Sequence, residues 1–333
     1  MFSAATTMKA LRLTREPEGL TPAISLTTLP IPKAIPGYAV VRIHYSAINP
    51  SDRLNSKGLF PHTTFPIIPG RDFSGVVVAG SPNKIGMEVY GTSGGTLGFS
   101  VDGPHAEYCL LPENGLVRKP KQLSFLQAAT VGVPYTAAFL CLRRARMTEN
   151  DVVLVLGATG AVGSAAVQLS KALKCKQVIS AFRGVDADID LTADPNLTTV
   201  QKLTNGKGVD VVVDTVGNLD LMKSAVNQLA HRGRYTWISA PRNGASTELN
   251  FDVFQGYRQE IELIGCNTAS YTFEDVATDL TKLGELFDKG EMTAKADGDF
   301  DTISLEEAVE KGYKSNNSQK HQKQIVIHIG PEH

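Results

Sequence analysis

The 333-residue sequence contains no apolar run long enough to cross a bilayer as a helix, so no membrane span is expected. It also lacks an excess of charge of either sign. Its 33 Lys and Arg against 34 Asp and Glu leave a formal net charge of −1, which argues against nucleic acid or an anionic membrane surface as partner. Cysteine is scarce. Cys109, Cys141, Cys175 and Cys266 are scattered without a C-x-x-C pair, a spacing that suits neither a disulfide framework nor a zinc lobe. Free thiols in a reducing compartment are the plainer reading, and a cytoplasmic location follows as an expectation. The opening residues, MFSAATTMKALRLTR, have neither the apolar core of a secretory signal nor the repeated arginines of a transit peptide, and the closing PEH is no retention or peroxisomal address. There is no internal repeat and no low-complexity segment.

What is present is an ordinary globular composition, 42% apolar and 20% charged, with length enough for two domains. The first third is rich in proline and glycine, with short β-type runs at 39–44, 75–79 and 106–111 between turn signals such as Pro36-Gly37, Pro69-Gly70 and Ser93-Gly94-Gly95. This pattern predicts an irregular antiparallel barrel or sandwich. From about Ser124 the character becomes helical. Apolar strand candidates at 152–156, 177–182, 209–214, 234–239 and 262–266 then alternate with helical patterns at 163–173, 196–203 and 219–229. Alternation of this kind predicts an α/β fold with a parallel, doubly wound sheet. In its first helix Val162, Ala166, Leu169 and Leu173 fall on one stripe. Helices at 273–289 and 305–315 and a strand at 324–329 complete the tail.

One connection is abnormally short. After the strand at 177–182, only residues 183–186 precede the next apolar candidate at 187–191, where a parallel crossover needs a dozen or so residues. Either a crossover helix is missing or 187–191 is not a strand of this sheet.

The densest chemical signal is VVLVLGATGAVG at 152–163. A strand runs into glycines at 157, 160 and 163 and then into a helix, the arrangement that cradles a dinucleotide pyrophosphate. Bare backbone at Gly160 admits the phosphates, and Gly163 lets helix and strand pack closely. Thr159, Ala161 and Val162 line the turn, and Ala158 stands where the common fingerprint has glycine.

Together with SAINPSD (46–52), FPIIPGRDFSGVV (65–77), AATVGVPYTAA (128–138), NGKGVDVVVDTVG (205–217) and RGRYTWIS (232–239), this motif resembles the zinc-independent quinone oxidoreductase, or zeta-crystallin-like, branch of the medium-chain dehydrogenase/reductase superfamily. The blocks keep the family's order along nearly the whole chain. The resemblance implies a GroES-like β-barrel catalytic domain at 8–129 and 269–333, a Rossmann dinucleotide-binding domain at 130–268, and hydride transfer in the cleft between them. It implies a homodimer as well. Zinc-dependent relatives carry a cysteine at the position of Asn49 and Gly-His-Glu where this chain has Gly70-Arg71-Asp72. Arg71 cannot ligate a metal, so no catalytic zinc is expected. Arg71 and Asp72 are a candidate pair, structural or catalytic.

Without a Lewis acid, the chemistry expected is reduction of an already electron-poor carbon, in a quinone or an α,β-unsaturated carbonyl, with hydrogen-bond donors for the developing oxyanion. Asn49 is the first candidate to orient substrate or nicotinamide; the alternative is an Asx turn before Pro50. Asp52 is the second catalytic candidate, or a cap on the segment that follows. Thr136 either contacts the nicotinamide side, as in relatives, or starts a helix. Tyr135, Tyr45, His44 and His62 read as structural. No acid ends the strand at 177–182 to hold the ribose 2′-OH of NADH; Arg183 there suits the 2′-phosphate of NADPH, or is a solvated turn residue. The resemblance adds Val216, Gly217, Ser239, Ala240, Cys266, Asn267 and Lys323 to the cofactor set. Asp214 reads as a strand-end structural acid.

The expectation is an NADPH-dependent, zinc-free reductase of a quinone or enone. A pathway-specific enoyl or enone reductase is the alternative within enzymes, and a catalytically weak NADPH-binding sensor or structural protein is the alternative outside them.

Overall fold

In the computed structural model, residues 6–15, 21–242, 244–315 and 323–330 are described. The chain divides into two compact units, Met1–Val133 with Ala269–His333, and Pro134–Thr268.

The first unit is built mainly of β-structure. β1 (Thr7–Thr14) and β2 (Ala23–Pro30) form an antiparallel hairpin. β3 (Tyr38–Ala47), β4 (Phe73–Ala79), β5 (Glu88–Gly91), β6 (Tyr108–Pro112) and β7 (Val117–Arg118) join the late strands β14 (Phe300–Ser304) and β15 (Gln324–His328). Their order is β14-β15-β3-β4-β5-β7, with β6 also pairing β3. All these pairings are antiparallel except β14 with β15. Alternation drives the arrangement: in β1 the buried positions include Met8, Ala10, Leu11 and Leu13, while Thr7 and Lys9 face water. Ala39, Val41, Ile43, Phe73, Val77 and Leu111 form the core under the central strands. α1 (Pro50–Ser56) follows β3, and α2 (Phe125–Ala128) and α8 (Phe273–Asp288) complete the unit. The helix expected at 305–315 is a single π-type turn, Ala308–Tyr313.

The second unit is a six-stranded sheet in the order β10-β9-β8-β11-β12-β13, all parallel. The strands are β8 (Val152–Leu156), β9 (Gln177–Phe182), β10 (Ile189–Asp190), β11 (Val209–Asp214), β12 (Leu229–Trp237) and β13 (Glu262–Gly265). All five residues of β8 are buried, as befits a strand covered on both faces. Its helices are α3 (Gly132–Arg144), whose first two residues belong to the first unit, α4 (Ala161–Ala172), α5 (Thr199–Leu203), α6 (Leu219–Val226) and α7 (Val253–Arg258). On α4 the predicted stripe is buried at its centre, half-buried at Val162 and exposed at its C-terminal end. Ala166 and Leu169 are buried beside Gly163, Ala165 and Ser170, but Leu173 is exposed at the C-cap.

The short connection has a geometric answer. β10 is a strand of the sheet, parallel to β9, with Ile189 opposite Ala181 and Asp190 opposite Phe182. Because β10 pairs only with the last two residues of β9, the chain needs to step back barely one residue pair, and a loop without a helix suffices. Gly184 takes a positive φ of 151° in that loop, and its N–H donates to Asp190 Oδ1 at 3.2 Å. Asp188 Oδ2 accepts from both N–H and Oγ of Ser180 at 2.7 Å, tying the return to the outgoing strand.

Among the described residues, no helix is long and apolar enough to cross a membrane.

Candidate active site and dinucleotide cradle

In the first unit the sequence NPSD supplies the start of α1. Asn49 is its N-cap, Pro50 stands where the helix needs no N–H, and the Asp52 carboxylate accepts the Asn49 N–H at 2.7 Å. Asp52 therefore does cap the segment, as one of its two readings held. The Asn49 side chain does not make the local turn to its own helix. Its Nδ2 donates instead to Asp72 Oδ2 at 2.8 Å. Arg71 does not pair with its neighbour Asp72 through a salt bridge; its Nε stands 3.5 Å from Asp52 Oδ1, and its Nη2 donates to Ser51 Oγ. Its guanidinium also lies over the Phe99 ring, 5.5 Å from the centroid. Adjacent side chains on an extended segment point apart, which sends Arg71 toward α1 and Asp72 inward.

Asp72 is wholly buried. Both carboxylate oxygens lie 2.9 Å from the Val133 N–H, and Thr92 adds a side-chain hydrogen bond. A Cβ at Gly132 would collide with this carboxylate, so glycine there keeps the approach open. Burial raises the Asp72 pKa to about 6, against the lowering influence of Arg71 and of the hydrogen bonds from Thr92, Asn49 and Val133. Beneath the same turn, His105 is buried with Nδ1 2.8 Å from Tyr313 Oη. Burial lowers the His105 pKa and raises that of Tyr313. Gly70, at φ 97°, is where the His105 ring would meet any side chain. Sequence reasoning missed Thr92, Val133, His105 and Tyr313. They reach the Gly70-Arg71-Asp72 turn from distant segments, and no local spacing announces them.

His44 stacks on Phe125 at 4.5 Å, Tyr45 on His328 at 4.8 Å, and His62 packs against Phe60 and Phe99. These are structural roles. Lys323 also lies in this unit, and its Nζ donates to the Gly298 carbonyl at 2.6 Å.

In the second unit, the carboxyl ends of β8, β9, β11, β12 and β13 collect the remaining candidates. Ala158 is buried under the turn, whereas Thr159, Gly160 and Ala161 are exposed at the start of α4. No side chain caps that helix, so its first-turn N–H groups remain open to an anion. The glycines divide their labour. A Cβ on Gly163 would collide with the Gly157 carbonyl, so this glycine serves packing. A Cβ on Gly160 would meet only the Gly157 oxygen, at 3.4 Å, an ordinary contact. The protein's own packing does not require glycine at 160.

Gly217, at φ 69°, packs on Ser239 and Ala240 so tightly that a side chain is excluded. Asp214 organises that turn: Oδ1 accepts from Val216 N–H at 2.7 Å and Gly217 N–H at 3.1 Å, and Oδ2 accepts from Tyr235 at 2.7 Å. Burial raises the Asp214 pKa against those bonds, and its role is structural. An apolar cavity of about 240 Å³ adjoins the turn, walled by Met222, Trp237, Leu249, Phe251 and Leu263. Thr136 is buried on α3, and Tyr135 accepts from Gln168 Nε2 at 3.3 Å. Cys266 is buried at the end of β13, with Asn267 exposed beside it. Arg183 is exposed after β9, and among the described residues nothing pairs with it.

Residues 35–121 match the alcohol dehydrogenase GroES-like domain family, and residues 161–283 match the zinc-binding dehydrogenase family. A zinc-type alcohol dehydrogenase-like protein of Schizosaccharomyces pombe is 48% identical over 261 residues, covering 78% of this chain and 79% of that protein. The quinone oxidoreductase of Sus scrofa is 30% identical over 226 residues, covering 62% of this chain and 65% of its own length. Among solved structures, an alcohol dehydrogenase superfamily protein from Novosphingobium aromaticivorans superposes with a TM-score of 0.81 at 24% identity, over 97% of this chain and 100% of that one.

Proposed function

Because the chain belongs to the medium-chain dehydrogenase/reductase superfamily, in its zeta-crystallin-like quinone oxidoreductase branch, we propose that it is an NADPH-dependent, zinc-free reductase of a quinone or an α,β-unsaturated carbonyl. The observation that carries this reading is the Asn49–Asp72–Arg71–Asp52 cluster. It puts an oriented amide where a metal-dependent relative needs a soft ligand.

Zinc does not fit these residues. Arg71 is permanently cationic and already ion-paired with Asp52, and Asn49 is a poor substitute for a thiolate. Among the described residues, no group of three or more His, Cys, Asp or Glu side chains could hold a metal ion. A dinucleotide does fit. The uncapped start of α4 and the bare Gly160 suit its pyrophosphate, and the tight Gly217–Ser239–Ala240 turn suits a ribose. Arg183, exposed and unpaired among the described residues, is the cation for a 2′-phosphate, while Asp188 and Asp190 are engaged with Ser180, Gly184 and Thr192.

When bound, NADPH supplies the hydride. The chain's own part is to orient and to donate. Ionised Asp72 accepts one Asn49 N–H and so fixes the amide plane, leaving the second N–H for the oxygen that gains charge as the substrate is reduced. Val133 and Thr92 hold Asp72, and Asp52 holds both the Asn49 backbone and Arg71. Solvent is the proton source in this proposal. The expected assembly is a homodimer.

The test is NADPH consumption by purified protein with a simple quinone and a panel of enones, alongside metal analysis. Turnover of simple quinones without stoichiometric zinc supports the proposal. Selective turnover of one enone class would favour a pathway-specific enoyl reductase. Tight NADPH binding without turnover would make the chain a binding protein, and stoichiometric zinc would overturn the metal-free reading.

A further inference from the structure

The Gly70-Arg71-Asp72 turn and the segment leading into Asn49 meet over one side chain. His105 is wholly buried, and its ring lies against Gly70. Its backbone N–H donates to the Pro69 carbonyl at 3.1 Å, tying it to the residue just before that turn. Its ring reaches the other arm, with Nε2 3.3 Å from the carbonyl of Ala47, two residues before Asn49. A carbonyl only accepts, so Nε2 carries the ring hydrogen and Nδ1 is left as an acceptor. Tyr313 Oη, 2.8 Å from Nδ1, therefore donates to it. The two bonds form a directional chain, from the Tyr313 hydroxyl through His105 to the Ala47 carbonyl. Burial lowers the His105 pKa and raises that of Tyr313, which keeps both in the neutral forms this chain needs.

Tyr313 arrives from the far end of the sequence on the π-type turn Ala308–Tyr313. There the Lys314 N–H donates to the Val309 carbonyl, five residues back, at 3.0 Å. Such turns are rare and gather at functional sites. The Tyr313 ring shares an apolar cluster with Leu11, Ile48, Leu305 and Ile327. Phenylalanine would fill that cluster as well, so packing does not account for the hydroxyl. Its bond to His105 does.

We propose that His105 and Tyr313 are positioning residues for the reduction, acting through the Ala47 carbonyl to hold the Asn49 amide on Asp72, a role that rests on the function proposed above. Ser46 Oγ donates to the Asp72 carbonyl at 2.6 Å and pins the two segments together one residue earlier. What His105 adds is the orientation of the peptide that leads into Asn49. Tyr313 sets the tautomer that makes this possible. With the tautomer reversed, a bare Nε2 would face the Ala47 carbonyl, acceptor against acceptor. The peptide would turn away and carry Asn49 Nδ2 from its place 2.8 Å from Asp72 Oδ2.

Tyr313→Phe keeps the packing and removes only the donor. In the full-length protein with NADPH and a simple quinone, kcat should fall about tenfold, the cost of a reacting group displaced by a fraction of an ångström. NADPH affinity should stay at the wild-type value. The bond from Asn49 lowers the Asp72 pKa, so weakening it should also move the acid limb of the kcat/KM profile upward in pH. His105→Gln keeps an N–H for the Ala47 carbonyl and has no tautomer to set. In that background Tyr313→Phe should cost kcat nothing further. An equal kcat loss in both backgrounds overturns the positioning role. So does a Tyr313→Phe enzyme with wild-type kcat and pH profile, whatever its melting temperature. The tautomer is read without turnover, by nitrogen NMR of protein carrying isotopically labelled histidine. His105 should be protonated at Nε2 and bare at Nδ1, and Tyr313→Phe should show both tautomers; a wild-type ring protonated at Nδ1 alone overturns the hydrogen-bond chain. A wild-type protein that reduces neither quinones nor enones defeats the proposed function instead, and the spectrum still decides the chain.

Discussion

Asn49 Nδ2 lies 2.8 Å from Asp72 Oδ2, and the carboxylate that receives it is wholly buried. Asp72 carries a pKa raised from 3.8 to about 6, so its charge costs stability. Below pH 4 both folded and unfolded chains are protonated there. Between pH 4 and 6 the folded chain holds the proton that the unfolded chain has lost, so this contribution to stability declines as pH rises and is gone above 6. The difference is on the order of 3 kcal/mol. Asp72→Asn should remove that slope, leaving the variant's thermal midpoint less sensitive to pH between 4 and 6 than the wild type's. Activity should run the other way. Protonation of Asp72 withdraws the acceptor that orients Asn49, so kcat/KM of the wild type should fall as pH drops through 6. A wild-type stability difference between pH 4 and 6 identical to that of Asp72→Asn would refute the assignment.

Gly160 and Gly163 give a paired experiment. Gly163→Ala pushes a methyl against the Gly157 carbonyl and should cost stability, about 1–3 kcal/mol for overpacking at a rigid backbone contact. Gly160→Ala adds a methyl with only a 3.4 Å contact, so its melting temperature should be close to wild type. Its NADPH affinity should nevertheless fall by tenfold or more, about 1.4 kcal/mol, because the methyl takes the space of the pyrophosphate. Fluorescence titration of NADPH with parallel thermal melts separates the two effects. Normal NADPH binding by Gly160→Ala would remove the cradle from the proposed site.

Much of the second unit was legible because its signals are local. The run VVLVL, the glycine spacing and the apolar segments at 177–182 and 209–214 each carry their own strand or turn chemistry, and β8, β9 and β11 occupy those residues. The first unit was legible only as a class. Its strands are irregular, and β6 begins at Tyr108 while Ala106 makes an isolated bridge to Ala10. The Asn49 environment was half visible. The NPSD capping pattern is written in sequence, but the redirection of Arg71 to Asp52 and of Asp72 to Asn49 depends on which way an extended segment points when it meets α1. Thr92, Val133 and Tyr313 were invisible because chain segments far apart bring them together.

Arg183 bears on cofactor choice. It is exposed and unpaired among the described residues, so Arg183→Ala should leave folding unaffected. Loss of a charge-assisted bond to the 2′-phosphate, worth about 1.5–3 kcal/mol, should raise the KM for NADPH tenfold or more and leave that for NADH nearly unchanged. Equal effects on both cofactors would show that Arg183 touches a part they share, and no effect on either would make it a solvated turn residue.

Arg71 and Asp52 test whether the cluster is held by its buried ion pair. Their side chains are 5% and 2% exposed, with Nε to Oδ1 at 3.5 Å. Arg71→Leu leaves the Asp52 charge buried without its partner, and loss of one member of such a pair costs about 3–5 kcal/mol. Asp52→Asn keeps an acceptor for the Asn49 N–H, now 2.7 Å from Asp52 Oδ2, while removing the charge. The double variant Arg71→Leu, Asp52→Asn therefore has neither an orphaned charge nor a lost cap. It should recover most of the stability lost in Arg71→Leu, a positive coupling readable by denaturant titration. Activity should not recover with it, because the guanidinium beside Asp72 is gone and the carboxylate that orients Asn49 then titrates at a higher pH. The signature is a kcat/KM profile displaced upward in pH in a double variant of near-normal stability. If activity and stability instead return together, Arg71 is only a structural partner of Asp52, and Asn49 owes its orientation to Val133 and Thr92 through Asp72 alone.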